Sequence, residues 1–315
     1  MKKRLLTGIQ SSGDLHIGNY FGALKPFVDF IQNQNEYESF LMVADYHALT
    51  SLKDGAALRQ NTINVVKDYL AAGIDPEHVT IFKQSDNPDH MELAWVLNCM
   101  VTVPFLMQAH AYKDKVAKGL EANAGLFTYP MLMAADIVLY DTDVVPVGED
   151  QRQHLEYTRE AVTKFNNAFG TILKEPKEQI IETVGTVLGL DGQKMSKSYK
   201  NTIPLFGTAA EVEKAVMKIV TDSDGSFPTN VFAIHSLLKP EDELRPLYEA
   251  NQGRYGDLKK QLAADLNEYL EPMRAKRATI SDAEVQAVLE SGAERAKHVS
   301  QIKMANVRKA IGMSL

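Results

Sequence analysis

The sequence predicts an α/β fold in two parts: a parallel-sheet domain over residues 1–200 and an all-helical domain over residues 201–315. Three observations carry this. Short apolar runs alternate with amphipathic stretches through the first part, the pattern of parallel strands joined by helices. The first run leads into a turn rich in glycine and polar donors. Beyond Thr208 the short runs stop and helical periodicity takes over.

Residues 4–9 are the first strand, and residues 20–31 have helical spacing. Between them lies Gln10-Ser11-Ser12-Gly13-Asp14-Leu15-His16-Ile17-Gly18-Asn19. A turn from a first strand into a first helix sits at the carboxyl ends of parallel strands, where ligands bind. The helix start offers free N–H groups and a positive dipole end, which suit a phosphate. Gly13 and Gly18 let backbone approach a ligand, and His16 and Asn19 add donors one turn apart. The spacing is neither that of a Gly-x-Gly-x-x-Gly dinucleotide turn nor that of a Walker loop. Taken alone, it also fits an ordinary glycine-punctuated turn.

Residues 38–45 form a second buried strand that opens through Asp45-Tyr46-His47 onto the same edge. Asp45 and His47 either face that edge or cap the loop. Residues 56–72 are a helix closed by Gly73, and residues 79–83 the third strand. Two helices fill residues 91–111, split near Pro104. Trp95, Leu97 and Leu106 lie on an apolar stripe that suits core or a subunit interface, and Cys99 suits a small core position. Residues 113–119 form a polar loop with three lysines.

Residues 127–140 are an apolar helix with a single acid, Asp136. Tyr129, Met133 and Asp136 share one face, at steps of four and three. A ring, a thioether and one acceptor match a flat apolar group with one N–H, such as an indole. A structural ion pair is the other use of such an aspartate. Residues 144–147 are a short strand broken by Pro146, and Gly148-Glu149-Asp150-Gln151 opens a helix through Phe165 whose first-turn acids suit its positive end. Residues 180–190 are the last strand. Asp191-Gly192-Gln193-Lys194-Met195-Ser196-Lys197-Ser198 is a cationic, hydroxyl-rich loop suited to clamping a polyphosphate as charge builds on it. Helices follow at residues 208–220, 229–238, 241–250, 257–278 and 281–311, with Gly292 a tolerated interruption.

Composition narrows the function classes. The chain has 315 residues, 45% of them hydrophobic and 24% charged, ordinary for a globular protein. No run of eighteen apolar residues is present, so no membrane span is expected. The basic, then apolar N-terminus stops at Thr7-Gly8, too short for a signal-peptide core, which points to the cytoplasm. One cysteine excludes an internal disulfide and a cysteine-based zinc or iron–sulfur site. A net charge of −7 argues against a generally basic nucleic-acid binder. From Arg254 onward, however, eleven Lys/Arg stand against eight Asp/Glu. That local +3 places any RNA contact on the C-terminal helices, unless these are simply solvated faces.

His16-Ile17-Gly18-Asn19 and Lys194-Met195-Ser196-Lys197-Ser198 together resemble the two signatures of the class I aminoacyl-tRNA synthetases. Asn19 stands where the first signature normally ends in His, a variant of the tryptophan and tyrosine branch. Gly8-Ile9-Gln10 with Ser12-Gly13, Tyr129-Pro130-Met131-Leu132-Met133-Ala134-Ala135-Asp136, and Val145-Pro146-Val147-Gly148-Glu149-Asp150-Gln151 look like the bacterial-type tryptophanyl members. The resemblance covers essentially the whole chain. It implies a Rossmann-like catalytic domain and a helical tRNA-contacting domain whose last helix packs back on the first. The implied reaction has two steps: tryptophan attacks the α-phosphorus of ATP to give the adenylate and pyrophosphate, and the amino acid then passes to tRNA(Trp).

The resemblance also implies roles. His16, Asn19, Lys115, Lys194 and Lys197 are the catalytic set. Gln10, Ser11, Ser12, Gly18, Asn19, Gly148, Glu149, Asp150, Val187, Lys194, Met195, Ser196, Lys197 and Ser198 hold ATP. Asp136, Tyr129, Met133 and Gln151 hold L-tryptophan, with Asp136 taking the indole N–H. Phenylalanine would then leave the carboxylate unpaired and be rejected by roughly 10⁴–10⁵-fold. Mg²⁺ arrives with ATP rather than on a protein site, and the enzyme is a homodimer. Two departures stand out. Ser11 replaces a proline usual in the family, and Leu6 replaces an aromatic residue at the base of the pocket. Three alternatives differ in recognisable ways. The sister tyrosine enzyme would carry a second glycine before the Asp-Gln pair. A small-molecule nucleotidylyltransferase would lack the lysine loop and the helical tail. A non-catalytic sensor would have lost His16 or a lysine.

Overall fold

A computed structural model describes the chain except residues 1, 11–12, 33–35, 118, 120–121, 148–151, 181–185, 222–226 and 315. At residues 32, 110–111, 114–115, 147, 152–154 and 180 only the backbone is described. Five strands, β1 (Lys3–Ile9), β2 (Tyr37–Val43), β3 (Val79–Lys83), β4 (Val144–Val147) and β5 (Lys177–Ile180), form one parallel sheet in the order β3-β2-β1-β4-β5. The winding direction reverses between β1 and β4, and in such sheets the ligand crevice opens outside the carboxyl ends at that point. Register aligns those ends, with Ile9 beside Val43 and Val43 beside Lys83.

Alternation of side chains along the strands splits the core in two. Leu5, Leu41, Val43 and Ile81 point to one face and pack with the Gly55–Ala71 and Tyr255–Thr279 helices. Leu6, Phe40, Met42 and Phe82 point to the other, against the Asp89–Asn98, Ala124–Val138 and Arg152–Phe169 helices. The last helix, Asp282–Ala310, serves both faces: Val285 and Leu289 join the first core, and Ala296, Val299, Met304 and Val307 join the second. It crosses β3, an outer strand whose edge would otherwise be open to pairing. Gly292 makes the crossing and is more than a tolerated interruption. A Cβ there would lie 1.7 Å from the Ile81 carbonyl oxygen, so helix and strand backbone meet only because this residue has no side chain.

Several elements depart from the sequence-based expectation. Among the described residues the last strand is Lys177–Ile180, and residues 186–190 belong to no strand; residues 181–185 of the expected 180–190 strand lie outside the described residues. Leu188 makes only an isolated bridge to Lys194, because that apolar stretch forms the base of the lysine loop. Pro146 lies inside β4 instead of breaking it; pairing of β4 with β1 is confined to Leu5 and Val144, so the missing N–H is tolerated. Residues 113–117 belong to the His110–Ala117 helix, not a loop, since neither glycine nor proline interrupts the stretch before Gly119, at φ +65°. The Ala209–Val216 helix stops short of 220, where Val220 N–H instead binds the Leu190 carbonyl at 2.7 Å. Cys99 is exposed at a helix end rather than in the core. The expected apolar stripe also divides: Leu97 and Leu106 are buried, but Trp95 is 70% exposed.

Candidate active site

Where β1 ends, the chain turns through Gly13, at φ +95°, into a helix starting at Ile17. His16 caps that helix. Its Nδ1 accepts the Asn19 N–H at 3.2 Å, and the Asn19 side-chain oxygen accepts the His16 N–H at 3.2 Å. This reciprocal cap fixes both members of the first signature. The helix continues through a π-type turn at Tyr20–Leu24. Burial, and then the nearby positive charge of Lys197, lower the His16 imidazole to about 4, so it is neutral at pH 7. Gly18 has no room for a side chain: a Cβ would lie 2.9 Å from His16 Nδ1 and 3.1 Å from Met195 Cβ.

That last distance joins the two signatures. Residues from the lysine loop onward run back along the first turn, with Ile17 N–H bound to the Ile203 carbonyl at 3.0 Å and Leu205 N–H to the Leu15 carbonyl at 3.1 Å. Met195 is buried, and its N–H binds the Val187 carbonyl at 2.9 Å. Asn201, which the sequence reading missed, is buried and ties the loop together. It accepts the Ser196 N–H at 2.8 Å and donates to the Lys194 carbonyl at 3.1 Å and to Asp191 at 2.7 Å. Ser196 caps a short turn, Lys197–Tyr199, accepting the Ser198 N–H at 3.3 Å. Lys194 and Lys197 remain exposed. A Cβ on Gly13 would lie 3.7 Å from Lys197 Nζ, so the ammonium reaches the first turn. Partial burial pulls the Lys197 pKa down, against the carboxylates of Asp14 and Asp68, which raise it. Asp68 is itself buried and receives the Arg277 Nε at 2.6 Å; burial dominates and lifts its carboxyl to about 6.

Beside this cradle a cavity of about 470 Å³ opens under β1, β2 and β4. Leu6, Gly8, Met42, Val145 and Leu155 give it apolar walls, and Gln10 lies at its mouth. Tyr129, Met133 and Asp136 all line it from one helix face. Asp136 is 1% exposed. Its Oδ1 receives His90 Nδ1 at 2.6 Å and Gln84 Nε2 at 2.8 Å; its Oδ2 receives His47 Nε2 at 2.8 Å and Gln84 Nε2 at 2.9 Å. Burial raises the carboxyl pKa, but the hydrogen bonds from His47 and His90 outweigh it and hold Asp136 at about 2. The acid is therefore an anion at all ordinary pH. It is also already satisfied, which corrects the expectation that phenylalanine would strand it unpaired. Losing one added donor forgoes one charge-assisted hydrogen bond, about 1.5–3 kcal/mol, not an orphaned charge.

His47 thus faces the cavity, with Tyr129 edge-on to its ring at 6.3 Å. Asp45 does the other job, receiving the Tyr46 and Ser85 N–H groups at 3.1 and 3.0 Å and so stapling the ends of β2 and β3. Ser11, Ser12, Gly148, Glu149, Asp150 and Gln151 lie outside the described residues. Lys115 sits on the His110–Ala117 helix, and its side chain is likewise outside them. Among the described residues no three His, Cys, Asp or Glu side chains are grouped to hold a metal ion, and no helix is long and apolar enough to cross a membrane.

The chain is similar to known proteins over nearly its whole length. The family model described as tRNA synthetases class I (W and Y) matches residues 1–287. A tryptophan–tRNA ligase from Fusobacterium nucleatum is 45% identical over 322 residues, covering 99% of this chain and 98% of that protein. The crystal structure of tryptophanyl-tRNA synthetase from Campylobacter jejuni complexed with ADP and tryptophan superposes with a TM-score of 0.91 at 42% identity, covering 98% of this chain and 99% of that one. The corresponding protein from Mycoplasma pneumoniae gives a TM-score of 0.84 at 30% identity over 100% of this chain and 99% of its own.

Proposed function

The chain belongs to the class I tRNA synthetases of the W and Y family, and we propose a division of labour within the tryptophan–tRNA ligase reaction it performs. The enzyme activates tryptophan with ATP to tryptophanyl-adenylate and pyrophosphate, then transfers tryptophan to tRNA(Trp). In the first step the substrate carboxylate oxygen bonds to the α-phosphorus as the bond to pyrophosphate breaks. The substrate supplies the nucleophile, so the protein's work is positioning and charge stabilisation.

The indole occupies the apolar cavity and donates its N–H to Asp136; the observation that carries this is an oriented, ionised carboxylate at the floor of that cavity. His16 and Asn19 cradle the phosphates at the capped helix start, with Gly18 giving the closest approach. Because His16 is neutral, it acts as a hydrogen-bonding group and not as a fixed charge. Lys194 and Lys197, joined by Lys115, neutralise the leaving pyrophosphate. Met195 and Val187 border adenine, and Ser11, Ser12 and residues 148–151 complete the nucleotide and amino-acid contacts. Mg²⁺ enters on the ATP phosphates.

The division at residue 200 separates chemistry from tRNA contact. Lys260 and Lys276 are exposed for that contact, whereas Arg274 is engaged inside the fold by the Gly207 carbonyl at 3.2 Å and Asn267 at 2.8 Å. A second copy of the chain covers the apolar face carrying Met91, Trp95, Val103 and Met107, between 47% and 70% exposed in the single chain. The protein works in the cytoplasm. The test of the substrate is amino-acid-dependent exchange of labelled pyrophosphate into ATP across all twenty amino acids. Tryptophan alone should respond; a tyrosine response would transfer the assignment to the sister enzyme.

A further inference from the structure

Behind Asp136 a file of polar side chains runs through the second core to the last helix. Asp136 is an ionised acceptor, so His90 Nδ1 donates to it, at 2.6 Å. The other ring nitrogen, Nε2, then accepts the Tyr140 hydroxyl at 2.7 Å. The Tyr140 oxygen in turn accepts the Asn87 side-chain amide at 3.1 Å, and the same amide donates to Ser300 Oγ at 3.0 Å. Ser300 donates to Asp89 at 2.7 Å, and Asp89 receives Arg308 at 3.2 Å. His90, Tyr140 and Ser300 are 0% exposed and Asn87 is 1% exposed.

The donors diverge from the Asn87 amide, one arm running through Tyr140 and His90 to Asp136 and the other through Ser300 to Asp89. Were His90 to carry protons on both nitrogens, Nε2 would donate to Tyr140, whose hydroxyl proton would then face only the Asn87 donor among its described partners. The chain therefore fixes one tautomer and one ring orientation. It also sits between Phe40 and Phe82, where apolar side chains would pack without this requirement. The residues come from four places along the chain: the loop before the Asp89–Asn98 helix, that helix, the turn after the Ala124–Val138 helix, and the last helix.

We propose that the buried chain Ser300–Asn87–Tyr140–His90 is a positioning device for amino-acid choice, passing the seating of the last helix to the carboxylate that reads the substrate side chain. The idea rests on Asp136 accepting the indole N–H. These are positioning residues; none touches a reacting atom.

Pyrophosphate exchange with tryptophan and with phenylalanine, on the full-length enzyme, tests it. Tyr140→Phe keeps the ring and removes the hydroxyl that holds His90. It should raise KM for tryptophan about 10-fold and lower the tryptophan-to-phenylalanine ratio by a similar factor, the worth of one buried hydrogen bond. Ser300→Ala, remote from the cavity, should move both quantities the same way by about threefold. KM for ATP should not change in either. His90→Asn, which places an amide donor near the Nδ1 position, should recover part of what His90→Leu loses. A merely structural role would lower the thermal midpoint, or raise both KM values together, without altering the ratio, and that result would overturn the proposal. Asp136→Ala, assayed alongside, separates the two ideas. An unchanged tryptophan preference there removes the reading beneath the proposal. A lost preference there, with Tyr140→Phe and Ser300→Ala at wild-type ratios, removes the proposal alone.

Discussion

The amino-acid cavity and the lysine loop lie on either side of the first turn and are built in opposite ways. The cavity has buried walls, and the charge of Asp136 is fastened by three side chains before any ligand arrives. The loop keeps Lys194 and Lys197 exposed and is held beneath them by Asn201 and by the Met195 backbone. A site that must choose between similar side chains gains from fixed donors and acceptors, since specificity is a difference between bound states. Cations that meet charge appearing on pyrophosphate gain from contacts made late, because only interactions stronger in the transition state raise the rate.

The largest expected effect falls on the loop. Lys197→Ala should lower kcat for pyrophosphate exchange about 10²–10³-fold, the cost of one transition-state donor, with little change in KM for ATP. A raised KM at unchanged kcat would show a lysine that only binds, and the contrast between the two regions would collapse.

A smaller effect distinguishes the regions by pH. His16 has its pKa lowered to about 4 from 6.5, so between those values the unfolded chain binds more protons and this residue makes stability rise with pH. Asp68, raised to about 6 from 3.8, binds more protons in the native chain and works in the opposite direction over its own window. Compared with the wild type, thermal midpoints between pH 4 and pH 6.5 should therefore rise less, or fall more, with pH in His16→Asn, which keeps a capping side chain, and rise more in Asp68→Asn. Parallel profiles in all three proteins would mean that neither group is linked to folding. In the same range Asp136, held at about 2, should leave tryptophan binding insensitive to pH.

The smallest effect belongs to the helices beyond both regions. Charge reversal of Lys260 together with Lys276 should weaken tRNA binding and reduce its salt dependence by about one to two charges, leaving adenylate formation intact. Unchanged tRNA affinity would take this surface out of the interface.

What the sequence revealed follows from what is local. Strand periods, the glycine turn and helix caps are written within a few residues, so β1 to β4 and the first helix were legible close to their observed limits. Tyr129, Met133 and Asp136 could be placed on one face because helical spacing fixes it. The partners of Asp136 were not legible: His90 lies 46 positions away and Gln84 lies 52, and nothing local marks either. Ser300 reaches Asn87 across 213 positions. From sequence Gly292 reads only as a tolerated interruption, because the strand that demands it lies in another part of the chain. His47 stood open between two uses, and only the fold could decide.

The central claim is that the carboxylate of Asp136, oriented before binding, sets the choice of amino acid. Its most direct test is the ratio of kcat/KM for tryptophan to that for phenylalanine in pyrophosphate exchange, compared between wild type and Asp136→Ala, with the thermal midpoint confirming a folded variant. The account predicts that the ratio falls about 10- to 100-fold, mainly through weaker use of tryptophan, while KM for ATP is unchanged. A folded variant that keeps the wild-type ratio would contradict it.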